Sequence, residues 1–331
     1  MNSFGRFFRV SVWGESHGKS VGVVIDGCPA GMLLNGEEFK EDLQKRRGGG
    51  AGKTGRIEKD IPDFTSGVFE EKTTGAPIMI TFDNVDQNSD SYETLRYTPR
   101  PGHADFTAFQ KYGGANDYRG GGHFSGRLTV GIVAAGVIAK KIISPVTTEA
   151  HLVDVGGFVD LEEALCEAQK KGESVGGIVE CKAKNVPVGL GEPFFDSVES
   201  LISHGIFSIP AIKGIEFGSG FASTRMFGSL CNDEFVDVTG KTVTNNSGGV
   251  AGGITNGNEL VFRVAVKPTP SVKKLQKTVD MKTGKVVSIS VKGNHDQCIA
   301  LRMPVIIEAI CACVLADCLL IEHLVPRVRC N

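Results

Sequence analysis

Three segments set a titratable side chain among glycines, which let a backbone turn tightly: Gly14-Glu15-Ser16-His17-Gly18, Arg100-Pro101-Gly102-His103 and Gly293-Asn294-His295-Asp296. A histidine at a glycine-framed strand end can reach into a cleft. The competing reading is a hairpin with an exposed histidine. Imidazoles titrate near neutral pH, so His17 and His103 together suggest proton transfer, with Asp296 as a third polar site. Cations also cluster near glycine: Arg46, Arg47, Lys53, Arg56, Arg100, Arg119, Arg127 and Lys267. Such a cluster is ordinarily a solvated face. On short glycine-framed loops it suits a small polyanion better, because guanidinium forks bind phosphate and carboxylate bidentately.

Composition narrows the partners. The net charge of −2 attracts neither nucleic acid nor an anionic membrane as a whole, so any anion site must be local. Glycine, at 43 of 331 residues, is about twice the usual share. Nine scattered cysteines form no C-x-x-C pair, which argues against zinc or a redox motif. They are expected to be free thiols in a reducing cytoplasm. No signal-peptide pattern opens the chain. No metal site is expected.

The elements that must carry these residues follow from the pattern. Residues 6–13 alternate and are aromatic and β-branched, which predicts a strand; 21–26 predicts a second, with His17 between them. Asn35 and Glu38 form a capping-box pair for a helix to about residue 47. The cations at its end also suit a helix C-terminus. The loop 48–54 is not a P-loop, since Arg47 stands where that motif needs glycine and the loop follows a helix. It is expected to be a mobile cationic loop, with 56–61 extended after it. Strands are expected within 64–83. Residues 84–118 are expected to lack regular structure because of Pro99, Pro101 and Gly102. Ser125 should cap a helix to about residue 143. Arg127 in its first turn is unfavourably placed for a cation unless an anion joins it. Further on come strands at 146–156, 176–184, 212–217 and 259–266, and helices at 160–171 and 195–204. The apolar stretch 303–320 contains Glu308 and Asp317 and is expected to be a buried helix, not a membrane span. Residues 23–34 and 177–203 both read strand, Pro-x-Gly turn, helix, which suggests an internal repeat and two similar layers. No low-complexity linker divides residues 1–331, so one large domain with long active-site loops is expected.

Six motifs stand in a telling order: Gly-Glu-Ser-His-Gly at 14–18, Arg-Pro-Gly-His-Ala-Asp at 100–105, Gly-Gly-His-Phe-Ser-Gly-Arg at 121–127, Thr-Asn-Asn-Ser-Gly-Gly at 244–249, Gly-Gly-Ile-Thr-Asn-Gly at 252–257 and Lys-Pro-Thr-Pro at 267–270. By these the chain resembles the chorismate synthase family over nearly its whole length. The resemblance implies an α+β fold, a β-α-β sandwich with helices packed between two antiparallel sheets. It implies 1,4-anti elimination of phosphate from 5-enolpyruvylshikimate 3-phosphate, requiring reduced FMN without net redox change, in a cytoplasmic homotetramer. NADPH would enter only through a separate flavin reductase, because the chain is short.

The same resemblance implies roles. His17 would be a general acid near the leaving phosphate, His103 would act near flavin ring nitrogen 1, and Asp296 near ring nitrogen 5. Arg46, Arg56, Arg100 and Arg127 would hold the substrate. Ser16, His123, Phe124, Ser125, Pro210, Ala211, Gly252, Lys267, Pro268, Thr269, Pro270, Ser271 and Asn294 would line the cofactor site. The chain departs from the family at His123, Phe124 and Asn294, where arginine or serine is usual, so phosphate affinity should rest on fewer arginines. Two other readings stand beside this one. A flavin reductase would need a dinucleotide motif, and no G-x-G-x-x-G follows a strand here. A phospho-ligand binding module would need the cations but not His17, His103 and Asp296 together.

Overall fold

Strands form where β-branched and aromatic residues alternate. In the computed structural model, which describes residues 2–86, 90–158, 160–291 and 295–324, the first half runs β1 (Ser3–Phe4), β2 (Arg9–Gly14), β3 (Ser20–Asp26), α1 (Lys40–Arg46), β4 (Asp63–Ser66), the hairpin β5 (Val68–Phe69) and β6 (Lys72–Thr73), β7 (Ile78–Asp83), α2 (Asp105–Tyr112) and α3 (Thr129–Ile142). The second half runs β8 (Thr147–Val155), α4 (Leu161–Lys171), β9 (Gly177–Lys184), α5 (Val198–Phe207), β10 (Ile212–Phe217), α6 (Gly228–Cys231), the hairpin β11 (Val250–Ala251) and β12 (Ile254–Thr255), β13 (Leu260–Val266), the hairpin β14 (Gln276–Val279) and β15 (Val286–Ile289), and α7 (Met303–Leu324).

Two antiparallel sheets carry the core. Their orders are β1-β2-β3-β7-β4 and β10-β13-β9-β8. Set β1 aside and the two match strand for strand, β2-β3-β7-β4 against β8-β9-β13-β10. The intervening helix also matches, α1 between β3 and β4 and α5 between β9 and β10. The repeat suggested by two Pro-x-Gly turns thus extends to whole half-chains, each closed by a long helix, α3 or α7.

Burial follows the pleat. Ile78, Ile80 and Phe82 of β7 are fully buried on one face, and β13 does the same with Leu260, Phe262 and Val264. α3 packs on β3 and β7, α7 packs on β8 and β9, and the two helices pack on each other. Small residues permit that last contact: a Cβ on Gly136 would lie 2.3 Å from the Ala309 Cβ. α7 lies in a helix long and apolar enough to cross a membrane, yet 78% of its most apolar stretch is buried inside the fold. Its two carboxylates are satisfied there. Glu308 meets Lys140 at 3.0 Å and accepts the Ala150 N–H at 2.8 Å. Asp317 accepts the N–H groups of Arg6, Phe7 and Phe8 at 2.7–3.1 Å. This is also why the predicted strand starts at Arg9: the three residues before it turn their amides to Asp317 instead of to a neighbouring strand.

One expectation fails. Residues 84–118 do not lack regular structure: a 3₁₀ segment spans Asp90–Arg96 and α2 spans Asp105–Tyr112. Pro99 and Pro101 stand ahead of α2, where a missing N–H breaks no helical bond, and Gly113 at φ 60° ends it. The other helices and strands fall within a few residues of where the pattern puts them, and the Asn35 capping box forms as read.

Candidate active site

The β2–β3 turn places Ser16 and His17 at the end of the first sheet, and the loop before α3 closes over them. Gly120, Gly121 and Gly122 take φ values of 59°, 82° and 54° in succession. No other residue type wraps a chain this tightly, because a Cβ on Gly120 would lie 2.5 Å from His17 Nε2 and 2.7 Å from Ser16 Oγ. The Ser16 N–H donates to Gly122 O at 3.1 Å, joining loop and turn. Asn84 braces the turn from below, donating to Glu15 O and Gly18 O. The Tyr92 ring meets His17 edge-on at 5.3 Å. Burial, with Arg56 and Arg119 nearby, holds the His17 pKa below the usual imidazole value.

Four arginines reach the same cleft, each held by the chain's own acceptors. Arg56 donates to Glu58 at 2.6 Å, to Ser16 Oγ at 2.8 Å and to Ser16 O at 3.0 Å. Arg127 bonds Asp60, Asn84 Oδ1 and Asp83 O. Arg46 reaches Asp60 from the other side at 2.6 Å. Burial would raise the Asp60 carboxyl, but the charges of Arg46 and Arg127 outweigh it and hold it below the ordinary value. Arg46 is fully buried, which pushes its guanidinium down to about 10, still charged at neutral pH. Its Nε and Nη1 have no hydrogen-bond partner among the described residues. Arg100 is used differently. Its fork grips Asp105 at 2.7 and 2.9 Å and its Nη1 lies 3.2 Å from Ser271 Oγ.

The second half closes the site. Asp296 accepts the Thr54 N–H at 2.9 Å and faces Arg302 at 3.2 Å. Arg302 also donates to Arg46 O at 2.8 Å. Lys267 Nζ donates to Gly102 O at 2.6 Å, and its N–H to Ala211 O at 2.9 Å. Asp60 and Ala211 sit at φ 49° and 75°, a conformation that L side chains rarely adopt. Such strain gathers at ligand sites, held by the surrounding bonds.

These walls enclose a cleft of about 1150 Å³. His17, His103 and Asp296 line it, as do Arg46, Arg56, Arg100 and Arg127. So do Ser16, His123, Phe124, Ser125, Pro210, Ala211, Lys267, Thr269, Pro270 and Ser271. Residues separated by up to 280 positions thus meet, eight cations against four carboxylates.

Three expectations about the site do not hold in detail. Gly252 is not on the cleft wall; at φ 63° it makes the exposed turn between β11 and β12. Pro268 is also off the wall, with its Cδ towards Gly176. Loop 48–54 is docked rather than loose: Gly52 O accepts the N–H groups of Gln297 and Cys298 at 2.9 and 3.1 Å, and a Cβ on Gly52 would meet Leu165 at 2.7 Å. Asn294 lies outside the described residues. Two sites change their meaning. The anion expected near Arg127 is Asp60, a residue of the chain itself. His123 faces Gly14 O at 2.8 Å and Asn2 Oδ1 at 3.0 Å, so both ring nitrogens tie the loop to the first sheet.

Glu58, Asp60, Tyr92 and Arg302 belong to none of the motifs, and Asp105 stands in one without a role of its own. A signal for two of them was there: Arg56, Glu58 and Asp60 alternate through an extended stretch, so all three share one side. Arg302 had none, since a lone arginine before an apolar helix is ordinary.

A family model described as chorismate synthase matches residues 8–320. The chorismate synthase of Chitinophaga pinensis is 61% identical over 329 residues, covering 99% of each chain. That of Archaeoglobus fulgidus is 44% identical over 358 residues, again covering 99% of each. A crystal structure titled as a chorismate synthase is similar at a TM-score of 0.74 and 28% identity, covering 96% of this chain and 93% of that one.

Proposed function

The chain belongs to the chorismate synthase family and is a lyase of the shikimate pathway; from that premise we propose how its residues divide the work. The substrate is 5-enolpyruvylshikimate 3-phosphate, which loses phosphate and a ring hydrogen in a 1,4-anti elimination with reduced FMN present and no net redox change. One observation carries the reading: His17, His103 and Asp296 lie in one cleft whose cations outnumber its carboxylates two to one.

The arginines are preorganised for anions. Glu58 and Asp60 hold Arg56, Arg46 and Arg127 in place before any ligand arrives, so no reorganisation is needed as charge develops on a departing phosphate. Arg46 presents two nitrogens without partners among the described residues, the strongest local demand for an oxyanion. With its pKa held below 6.5, His17 is mainly neutral at pH 7 before a ligand binds. A phosphate dianion beside it raises its pKa, so it gains a proton on binding and delivers it to the leaving group. Asp296, aimed by Thr54 and Arg302, assists removal of the ring hydrogen.

The residues present fit FMN. The cleft exceeds what a phosphorylated cyclohexene fills, and Thr269 Oγ1 is buried in its wall without a hydrogen-bond partner among the described residues. Ser125, Pro210, Ala211, Lys267, Thr269, Pro270 and Ser271 would hold it, with His103 beside it. Reduced FMN, when bound, supplies electron density that assists C–O cleavage. A separate reductase, fed by NADPH, would provide it.

The layering of α3 and α7 between the sheets supports a β-α-β sandwich, and the single connected core supports one domain. The eight described cysteines are free thiols, which supports a cytoplasmic setting. Exposed Phe221, Phe227, Leu230, Phe235 and Val238 support burial against further copies in a homotetramer.

The test is an anaerobic assay with the substrate and chemically reduced FMN, following chorismate absorbance. Turnover that vanishes with oxidised FMN is the expected result. Binding of both ligands without turnover would favour a phospho-ligand module instead.

A further inference from the structure

His103 sits between two charged neighbours that make opposite demands on the same ring atom. Asp105 Oδ1 lies 2.6 Å from Nδ1, and Arg100 Nη2 lies 3.2 Å from it. A carboxylate can only accept, so it requires a proton on Nδ1. A guanidinium can only donate, so it requires a lone pair there. The shorter, charge-assisted contact decides in favour of Nδ1–H. The opposite edge of the ring lies over Gly121, where a Cβ would stand 3.3 Å from Cε1 and 3.6 Å from Nε2.

We propose that Asp105 is the positioning residue of His103: its carboxylate fixes the Nδ1–H tautomer and leaves Nε2 as the atom that exchanges protons in the cleft. The assignment rests on the role given above to His103. The carboxylate is equipped for this. Burial alone would raise its pKa, but hydrogen bonds from Arg100 and His103 keep it well below the usual range, so it stays an anion. Arg100 holds it through both oxygens, and Ser271 and the Tyr92 ring, 5.8 Å from the Arg100 Cζ, hold Arg100. The chain of contacts runs from the cleft wall to one imidazole nitrogen. Arg100 thereby becomes a support for His103, not a free ligand for substrate.

A plainer role is available. Asp105 lies in the first turn of α2, where an acid favours the helix dipole without touching any histidine. The two roles separate in the histidine tautomer. Magic-angle-spinning ¹⁵N spectra of histidine-labelled protein, with His103 assigned by difference against His103→Gln, should show Nδ1 protonated and Nε2 bare in the neutral ring. In Asp105→Asn the proton should move to Nε2, with kcat falling about 10²-fold or more while substrate KM holds. Asp105→Glu should recover part of the rate. Arg100→Lys should weaken the fold but keep the tautomer.

A wild-type His103 protonated on Nε2 would overturn the proposal with no variant needed. So would an unchanged tautomer in Asp105→Asn, or the same switch in Arg100→Lys, which would mean that Asp105 acts only by holding Arg100. Full turnover in His103→Gln, with the tautomer switch still seen in Asp105→Asn, would remove the role of His103 and leave the positioning intact.

Discussion

Arg46 and Arg127 share the Asp60 carboxylate but differ in what they have left to offer. Arg127 is engaged at all three nitrogens by Asp60, Asn84 and Asp83 O, whereas Arg46 keeps two nitrogens open. Arg127→Ala should therefore act first on stability: it leaves Asp60 buried with one partner fewer, a loss of about 3–5 kcal/mol on breaking a buried pair. Equilibrium denaturation would read it, and a drop under about 1 kcal/mol would recast Arg127 as a substrate ligand alone. His17 predicts a pH signature. Its folded pKa is depressed, so as pH falls below the ordinary imidazole value of 6.5 the unfolded chain takes up the proton first, and the stability that His17 contributes declines down to the folded pKa. Bound phosphate acts in the opposite direction. The acidic group seen in kcat should titrate at higher pH than the one seen in kcat/KM. Coincident limbs in the two profiles would place His17 away from the phosphate.

The loop before α3 shows how one element fixes the position of Ser16 and His17 by lacking side chains. Gly120→Ala would put a Cβ against both Ser16 and His17 while also straining φ. The expected result is at least a tenfold loss in turnover with the fold retained, at a cost of about 1–3 kcal/mol in stability. Unchanged kcat would show that the loop shifts freely and does not position His17. The capping box of the segment leading into α1 works at the other end of the site. Asn35 accepts the Glu37 N–H and Glu38 returns a bond to the Asn35 N–H. Asn35→Ala should cost about 1 kcal/mol by chemical denaturation. The loss should appear as a shift in midpoint with little change in turnover, because Arg46 is fixed from Asp60 and not from the cap.

Across the molecule, the duplicated half-chains use the same topology for different ends. The β2–β3 connection is a tight turn bearing His17, while the equivalent β8–β9 connection carries α4. The first half contributes most of the cleft's arginines together with His17 and His103. The second half contributes Asp296 and the wall from Pro210 to Ser271, so neither layer holds a complete site. The second half also exposes the apolar side chains between residues 221 and 243. Replacing Phe227 and Phe235 together by serine should shift the sedimentation profile towards smaller species. A profile identical to that of the unmodified chain would remove this surface from the assembly.

The elements were legible because their signals are local. Alternation gave β2, the capping pair gave the entry to α1, and two Pro-x-Gly turns pointed to a repeat that the strand order extends. His17, His103 and Asp296 could be chosen for their glycine frames, and the six motifs identified the family. Which arginine is open and which is occupied was not legible, because it depends on Asp60 being shared by Arg46 and Arg127, 14 and 67 residues away in the chain. The docking of loop 48–54 depends likewise on Asp296 and Gln297, more than two hundred residues away. Residue type and spacing determine what chemistry a side chain can do and which short element bears it. Only the tertiary structure decides which charges it faces, and in a buried cleft those charges decide its protonation and its role.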